Sequence, residues 1–182
     1  MSDERFQNEM KHLYALRDLL EQDTRLPLRL RIERGSLDFR EFSLKLSGIS
    51  AFVADPCSTG QSTAPAFSLN FRVPEGYPFS TIPNISFGEP VPLHPHIWTD
   101  GRICWGTAWN PRPDLQLSHW LVHVVEYLQY SQGDQSTLDI NRNSLANRDA
   151  LHCWDAHRKD LGRYVPPIDL ARLRLHVART CG

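Results

Sequence analysis

The sequence predicts an α+β fold: an opening helix, a four-stranded antiparallel meander, a long irregular loop and closing helices. Three features predict it. Apolar residues first recur at helical spacing, then alternate with polar ones in four successive segments, then return to helical spacing after a stretch rich in proline and glycine. In the first segment Phe6, Met10, Leu13, Leu16 and Leu20 form one stripe among mostly charged neighbours, which predicts an amphipathic helix from Ser2 to Gln22 with Ser2 as its cap. Pro27 marks its boundary. Leu28, Leu30 and Ile32 then alternate with Arg29, Arg31 and Glu33, and Gly35-Ser36 reads as a turn. Phe42, Leu44 and Leu46 form a second strand. A loop rich in Ser, Thr, Pro and Gly (Asp55 to Pro65) leads to a third, with Phe67, Leu69, Phe71 and Val73 on one face, and a fourth fits Asn84 to Phe87. Half-apolar strands in series bury one face, and the opening helix is the natural cover for it.

From Gly88 to Pro113 the pattern breaks. Five prolines, three glycines, three tryptophans and Cys104 fall there. An irregular segment of that length inside a compact domain is usually functional. Beyond it, Leu117, Leu121, Val124, Val125 and Leu128 predict a buried helix, Ser131 to Asn143 a polar loop, and Ser144 to about Leu161 another helix. Pro166-Pro167 interrupt the chain, and Ile168 to Thr180 suits a last basic helix. We therefore divide the chain into a domain at 1–165 and a basic helical extension at 166–182.

Bulk composition excludes several classes. Of the 182 residues, 41% are hydrophobic and 23% charged, ordinary values for a soluble domain. A formal net charge of -1 offers no footprint for nucleic acid or an anionic membrane. No apolar run approaches the roughly 18 residues that span a bilayer, and the acidic N-terminus lacks a signal-peptide core. On these features a cytosolic protein is expected. The four cysteines (Cys57, Cys104, Cys153, Cys181) have no C-x-x-C pairing and are expected as free thiols there.

A thiol that handles acyl groups must be accessible, able to ionise, and near a donor for the developing oxyanion. Cys104 lies in a loop framed by Pro and Gly, with His94 and His96 upstream. On these local residues alone, a reactive thiol and a buried structural cysteine are equally supported. A wider pattern adds to this. Tyr77-Pro78-Phe79 precede Pro83, then His94-Pro95-His96-Ile97, then Gly101-Arg102-Ile103-Cys104, then Trp109 to Pro111. That order and spacing resemble the ubiquitin-conjugating enzyme family, with its YPF segment, its H-P-N motif, its cysteine preceded by G-x-[IV], and its W-x-P. Leu117 to Tyr130 and Leu145 to Ala150 resemble the family's next two helices, so the likeness covers residues 2 to about 161.

The resemblance implies the family's UBC fold and an enzyme. Cys104 would accept a ubiquitin-like protein as a thioester from an activating enzyme and pass it to a nucleophile on a protein target, with no metal or organic cofactor. It also implies that the first helix, with Arg5 and Lys11, faces the activating enzyme. The family's asparagine is replaced by His96, which can also donate a hydrogen bond; an oxyanion role and a loop-bracing role both remain open. His94 is expected to be structural. The acidic gate residue is not assigned among Asp134, Asp139 and Asn143. Trp98, Trp105 and Trp109 suit either a rim for the partner tail or core around the loop. The segment from Cys104 to Trp109 is shorter than in many eukaryotic members and the segment at Asp55 to Pro65 is altered. In these respects the chain resembles divergent bacterial relatives encoded in anti-phage operons. Three other readings stand beside this one: a non-catalytic binding module, a zinc site from His94, His96 and Cys104, and a cysteine hydrolase.

Overall fold

The computed structural model describes residues 3–36, 40–54, 63–105, 111–129, 146–157, 159 and 161–181. Helix α1 (Asp3–Gln22) is followed by strands β1 (Arg29–Ser36), β2 (Glu41–Phe52), β3 (Thr63–Arg72) and β4 (Asn84–Phe87). Helices α2 (Leu117–Leu128), α3 (Arg148–His157), α4 (Leu161–Tyr164) and α5 (Leu170–Cys181) complete the order. The strands pair antiparallel in sequence order, β1-β2-β3-β4. This is the predicted α+β plan.

Register explains why one face is buried. Leu46 lies opposite both Leu30 and Phe67, Leu44 opposite Ile32 and Leu69, and Phe42 opposite Phe71, which in turn meets Ile85. Strand side chains alternate between faces, so this register collects the apolar residues of four strands on one side. Phe42 and Phe71 stack at 4.7 Å. The expected turn at Gly35-Ser36 is instead the end of β1, where Gly35 pairs with Phe42 and Ser36 with Glu41.

The apolar stripe of α1 is buried as predicted, with Leu13, Leu16 and Leu20 fully enclosed. Its partners differ from expectation. Helix α1 packs against β1, α2 and α5, and α2 reaches the sheet at β2, so the cover is shared. Helix α2 is enclosed on most sides, which agrees with its run of Leu and Val. The region read as one helix from Ser144 to about Leu161 contains α3, and a separate short helix, α4, begins only at Leu161; Ser144 itself lies outside the described residues.

Two buried carboxylates join helices. Glu9 of α1 accepts hydrogen bonds from Leu117 N–H (2.9 Å), Tyr77 O–H (3.1 Å) and Arg5 Nε (3.0 Å). It thereby satisfies one of the backbone donors left free at the start of α2. Burial nevertheless raises its pKa against the pull of these donors. Glu9→Ala orphans the Leu117 N–H and opens a cavity, so it is expected to cost about 3 kcal/mol in urea unfolding. Asp23, just past α1, accepts bonds from Arg172 and His176 of α5, and Ile168 N–H donates to Gln129 Oε1 at 2.8 Å. These bonds hold α5 against the core, where Leu173 and Val177 are buried.

Candidate active site

Between β4 and α2 the chain folds into a short hairpin. Cys104 N–H donates to His96 O at 2.8 Å, Ile97 and Ile103 form a bridge, and Trp98 N–H donates to Arg102 O at 2.9 Å. Directly opposite residues of a hairpin point to the same side. Ile97 and Ile103 face the core and are buried, whereas on the opposite face Trp98 and Arg102 are exposed and His96 and Cys104 half-buried, with the His96 ring lying against His94 and Tyr127. Cys104 is half-buried on that outer face.

Gly101 sets the turn. Its φ is +86°, a conformation open to glycine, and its carbonyl accepts Phe87 N–H at 2.8 Å. A Cβ there would lie 2.1 Å from Phe87 O. The hairpin thus rests directly on the backbone of β4, and Arg102 forms a bridge with Ser86.

The residues flanking Cys104 are tied down from two sides. Tyr127 of α2 donates its O–H to Cys104 O at 3.3 Å. Its ring meets His94 edge-on at 5.0 Å and Trp105 at 5.5 Å, and Trp105 meets Trp120 at 5.1 Å. Trp105 is therefore core, while Trp98 is 40% exposed. Pro95 O accepts the N–H groups of Ala146 and Asn147, joining the loop to the lead-in of α3.

The two histidines differ in placement. His94 is buried, and its Nδ1 accepts His96 N–H at 3.0 Å. An accepting Nδ1 carries no proton, so a neutral His94 bears its hydrogen on Nε2. Burial drives the His94 pKa well below its usual value, with His96 adding to the effect, and burial lowers that of His96 as well. Both rings are consequently neutral at pH 7. His96 Nδ1 is buried without a hydrogen-bond partner among the described residues.

These depressed values make stability pH-dependent. The unfolded histidines titrate near 6.5, so below that pH the unfolded chain binds protons that the folded chain resists. Protonation of His94 Nδ1 would also break its bond to His96 N–H. The unfolding free energy is expected to fall between pH 6.5 and 5, measured by urea titration, and His94→Gln should flatten that slope.

Other sequence candidates separate. Cys153 is buried beside Trp154 on α3. Cys181 ends α5 half-buried, with Sγ 3.3 Å from Ser118 Oγ. Arg5 is held by Glu9 and Pro113 O, and Lys11 by Asn8. Cys57, Trp109, Asp134, Asp139 and Asn143 lie outside the described residues. Among the described residues, no group of three or more His, Cys, Asp or Glu side chains is placed to hold a metal ion, so His94, His96 and Cys104 do not form the ligand set considered above. No helix among them is long and apolar enough to cross a membrane. Sequence reasoning missed Tyr127. A tyrosine in a helix whose Leu and Val pattern predicts burial is a usable signal, because a buried phenol needs a hydrogen-bond partner.

No protein-family model matches the chain. It is 32% identical to the probable ubiquitin-conjugating enzyme E2 17 of Arabidopsis thaliana over 74 residues, 40% of this chain and 45% of that protein. It is 37% identical to the probable ubiquitin-conjugating enzyme E2 W-A of Danio rerio over 54 residues, 28% of this chain and 35% of that one. Among solved structures, a Plasmodium vivax ubiquitin conjugating enzyme E2 aligns with a TM-score of 0.42 at 20% identity, covering 64% of this chain and 97% of that one. The chain spans less than half the length of the curated relatives it matches. Over that part, the chain is a distant homologue of the ubiquitin-conjugating enzyme E2 family.

Proposed function

We propose that the chain is a ubiquitin-conjugating-type transferase that carries a ubiquitin-like protein as a thioester on Cys104. The observation that carries this reading is the hairpin, which presents a half-buried thiol on its outer face opposite a neutral His96. Distant homology to ubiquitin-conjugating enzymes supports it.

The chemistry is two acyl transfers. The Cys104 thiolate attacks the thioester carbonyl of a charged activating enzyme; a new C–S bond forms and the activating enzyme's thiolate leaves. An acceptor amine on the protein target then attacks the new thioester. A C–N bond forms, Cys104 leaves as thiolate, and the amine's proton passes to solvent. Both steps pass through a tetrahedral oxyanion, which needs a hydrogen-bond donor. A neutral His96 carries one N–H and stands directly across the hairpin from Cys104, with Cβ atoms of such pairs about 5 Å apart. In this reading ATP is used upstream, and the transferase itself needs no metal or organic cofactor. Helix α1 offers Arg5 and Lys11 to the activating enzyme. The short run from Cys104 to Trp109 and the altered segment from Asp55 to Pro65 support a bacterial, cytosolic conjugation system directed against phage.

The test is incubation with activating enzyme, ATP and a ubiquitin-like protein, followed by non-reducing electrophoresis and intact mass. A reducible adduct of carrier mass on Cys104 is expected. Tight binding without an adduct would favour a binding module instead. His96→Ala should slow discharge of the thioester; unchanged discharge would limit His96 to bracing the loop.

A further inference from the structure

The outer face of the hairpin carries more than the thiol and His96. Trp98 and Arg102 occupy the next opposed pair, two residues along each strand, which places them about 7 Å from the Cys104 and His96 pair. Both are exposed. The Arg102 guanidinium lies over the Trp98 ring, 5.9 Å from its centroid. Asp100 accepts Arg102 Nε at 2.7 Å and Arg102 backbone N–H at 3.1 Å. Asp100 therefore engages the Nε edge of the guanidinium. The two terminal amino groups have no hydrogen-bond partner among the described residues. A guanidinium fork held open in this way matches a carboxylate bidentately, and an aromatic ring beside it restricts the approach to one direction.

We infer that Trp98 and Arg102 form a clamp for an acidic side chain of the acceptor protein, lying about two residues from the nucleophile that attacks Cys104. The inference rests on the carrier reading above and specifies which acceptors that site prefers. The spacing supports an acceptor segment: an extended chain advances about 7 Å in two residues, which is the separation between thiol and clamp. The electrostatic reach is adequate too, since 7 Å is within the screening length of about 8 Å at physiological salt.

Two measurements test it without knowledge of the natural carrier. The first compares alkylation of Cys104 by iodoacetate and iodoacetamide, read by peptide mass mapping so that other thiols do not interfere. Arg102→Gln should lower the iodoacetate-to-iodoacetamide rate ratio about threefold at low salt, in line with an exposed ion pair. Arg102→Lys should retain part of the ratio. Asp100→Asn keeps an acceptor for the Arg102 backbone N–H while removing the competing charge, so it should raise the ratio, an opposite shift that a purely structural role would not produce. The second charges Cys104 with a short Gly-Gly peptide benzyl thioester. Exchange forms the Cys104 thioester and releases benzyl thiol; a lysine peptide then takes the acyl group as an amide and frees the Cys104 thiolate, its proton going to buffer.

Wild type should discharge faster to a lysine peptide with Glu two residues from the lysine than to one with Gln there. Arg102→Gln and Trp98→Ala should each erase most of that difference, through KM more than kcat. Equal alkylation ratios in wild type and Arg102→Gln would overturn the inference. So would a variant that slows charging by the Gly-Gly thioester but leaves acceptor choice unchanged, because the pair would then serve the donor. Failure of Cys104 to take up any peptide thioester would overturn the carrier reading and this one with it. The alkylation ratio, which needs no acyl group, tells that case apart from failure of the clamp alone.

Discussion

Cys104→Ala is expected to abolish the carrier adduct, leaving only background on non-reducing gels. The thiolate is the bond-forming atom in the proposed transfer, and no neighbouring group can replace it. Cys104→Ser should separate chemistry from shape. A serine hydroxyl is a far weaker nucleophile near neutral pH, so charging should be slow; any ester formed would resist thiol reductants. Neither substitution should disturb the hairpin. The side chain points outward and is only half-buried, while the two bonds that position the residue use its backbone N–H and carbonyl. Thermal midpoints of the three proteins should therefore agree closely. Cys153→Ala and Cys181→Ala serve as controls and should charge as wild type does. A Cys104→Ala protein that still accepts the carrier would end the proposal.

Gly101→Ala is expected to produce the largest loss of stability, about 3 kcal/mol or more in urea unfolding. Two costs combine. The residue sits at φ +86°, where a side chain is strained. The added Cβ would also fall 2.1 Å from Phe87 O and 3.0 Å from Phe87 C, atoms of the β4 backbone that cannot swing aside as a side chain could. Relief requires the hairpin to lift from β4, which would break the Phe87 N–H to Gly101 O bond and move Cys104 with it. Stability and charging should thus fall together, unlike in Cys104→Ala, where charging alone is lost. Gly162 provides the contrast. It lies in α4 with nothing within 4 Å of its would-be Cβ, so Gly162→Ala should be neutral or stabilise by up to about 1 kcal/mol. A Gly101→Ala protein as stable as wild type would contradict the close packing of hairpin on strand.

Local pattern determined the element types. Helical spacing from Phe6 to Leu20 and period-two alternation through β2, β3 and β4 are properties of neighbouring residues, and each specifies the face that a segment must bury. The residues near Cys104 left a reactive and a structural thiol equally supported, and it was the resemblance to ubiquitin-conjugating enzymes that pointed to this thiol among the four. Element ends were less legible. Whether Gly35-Ser36 turns or pairs depends on Phe42 and Glu41 across the strand, not on the dipeptide itself. What only tertiary structure decided are the contacts between residues far apart in the chain. Tyr127 reaches the Cys104 carbonyl across 23 positions, Glu9 meets Leu117 across 108, and Asp23 meets Arg172 across 149. The neutral state of His94 and His96 belongs to the same class, because it follows from burial. Periodicity encodes which side of an element avoids water, whereas these bonds and shifts arise only when packing brings separate elements together and removes the solvent between them.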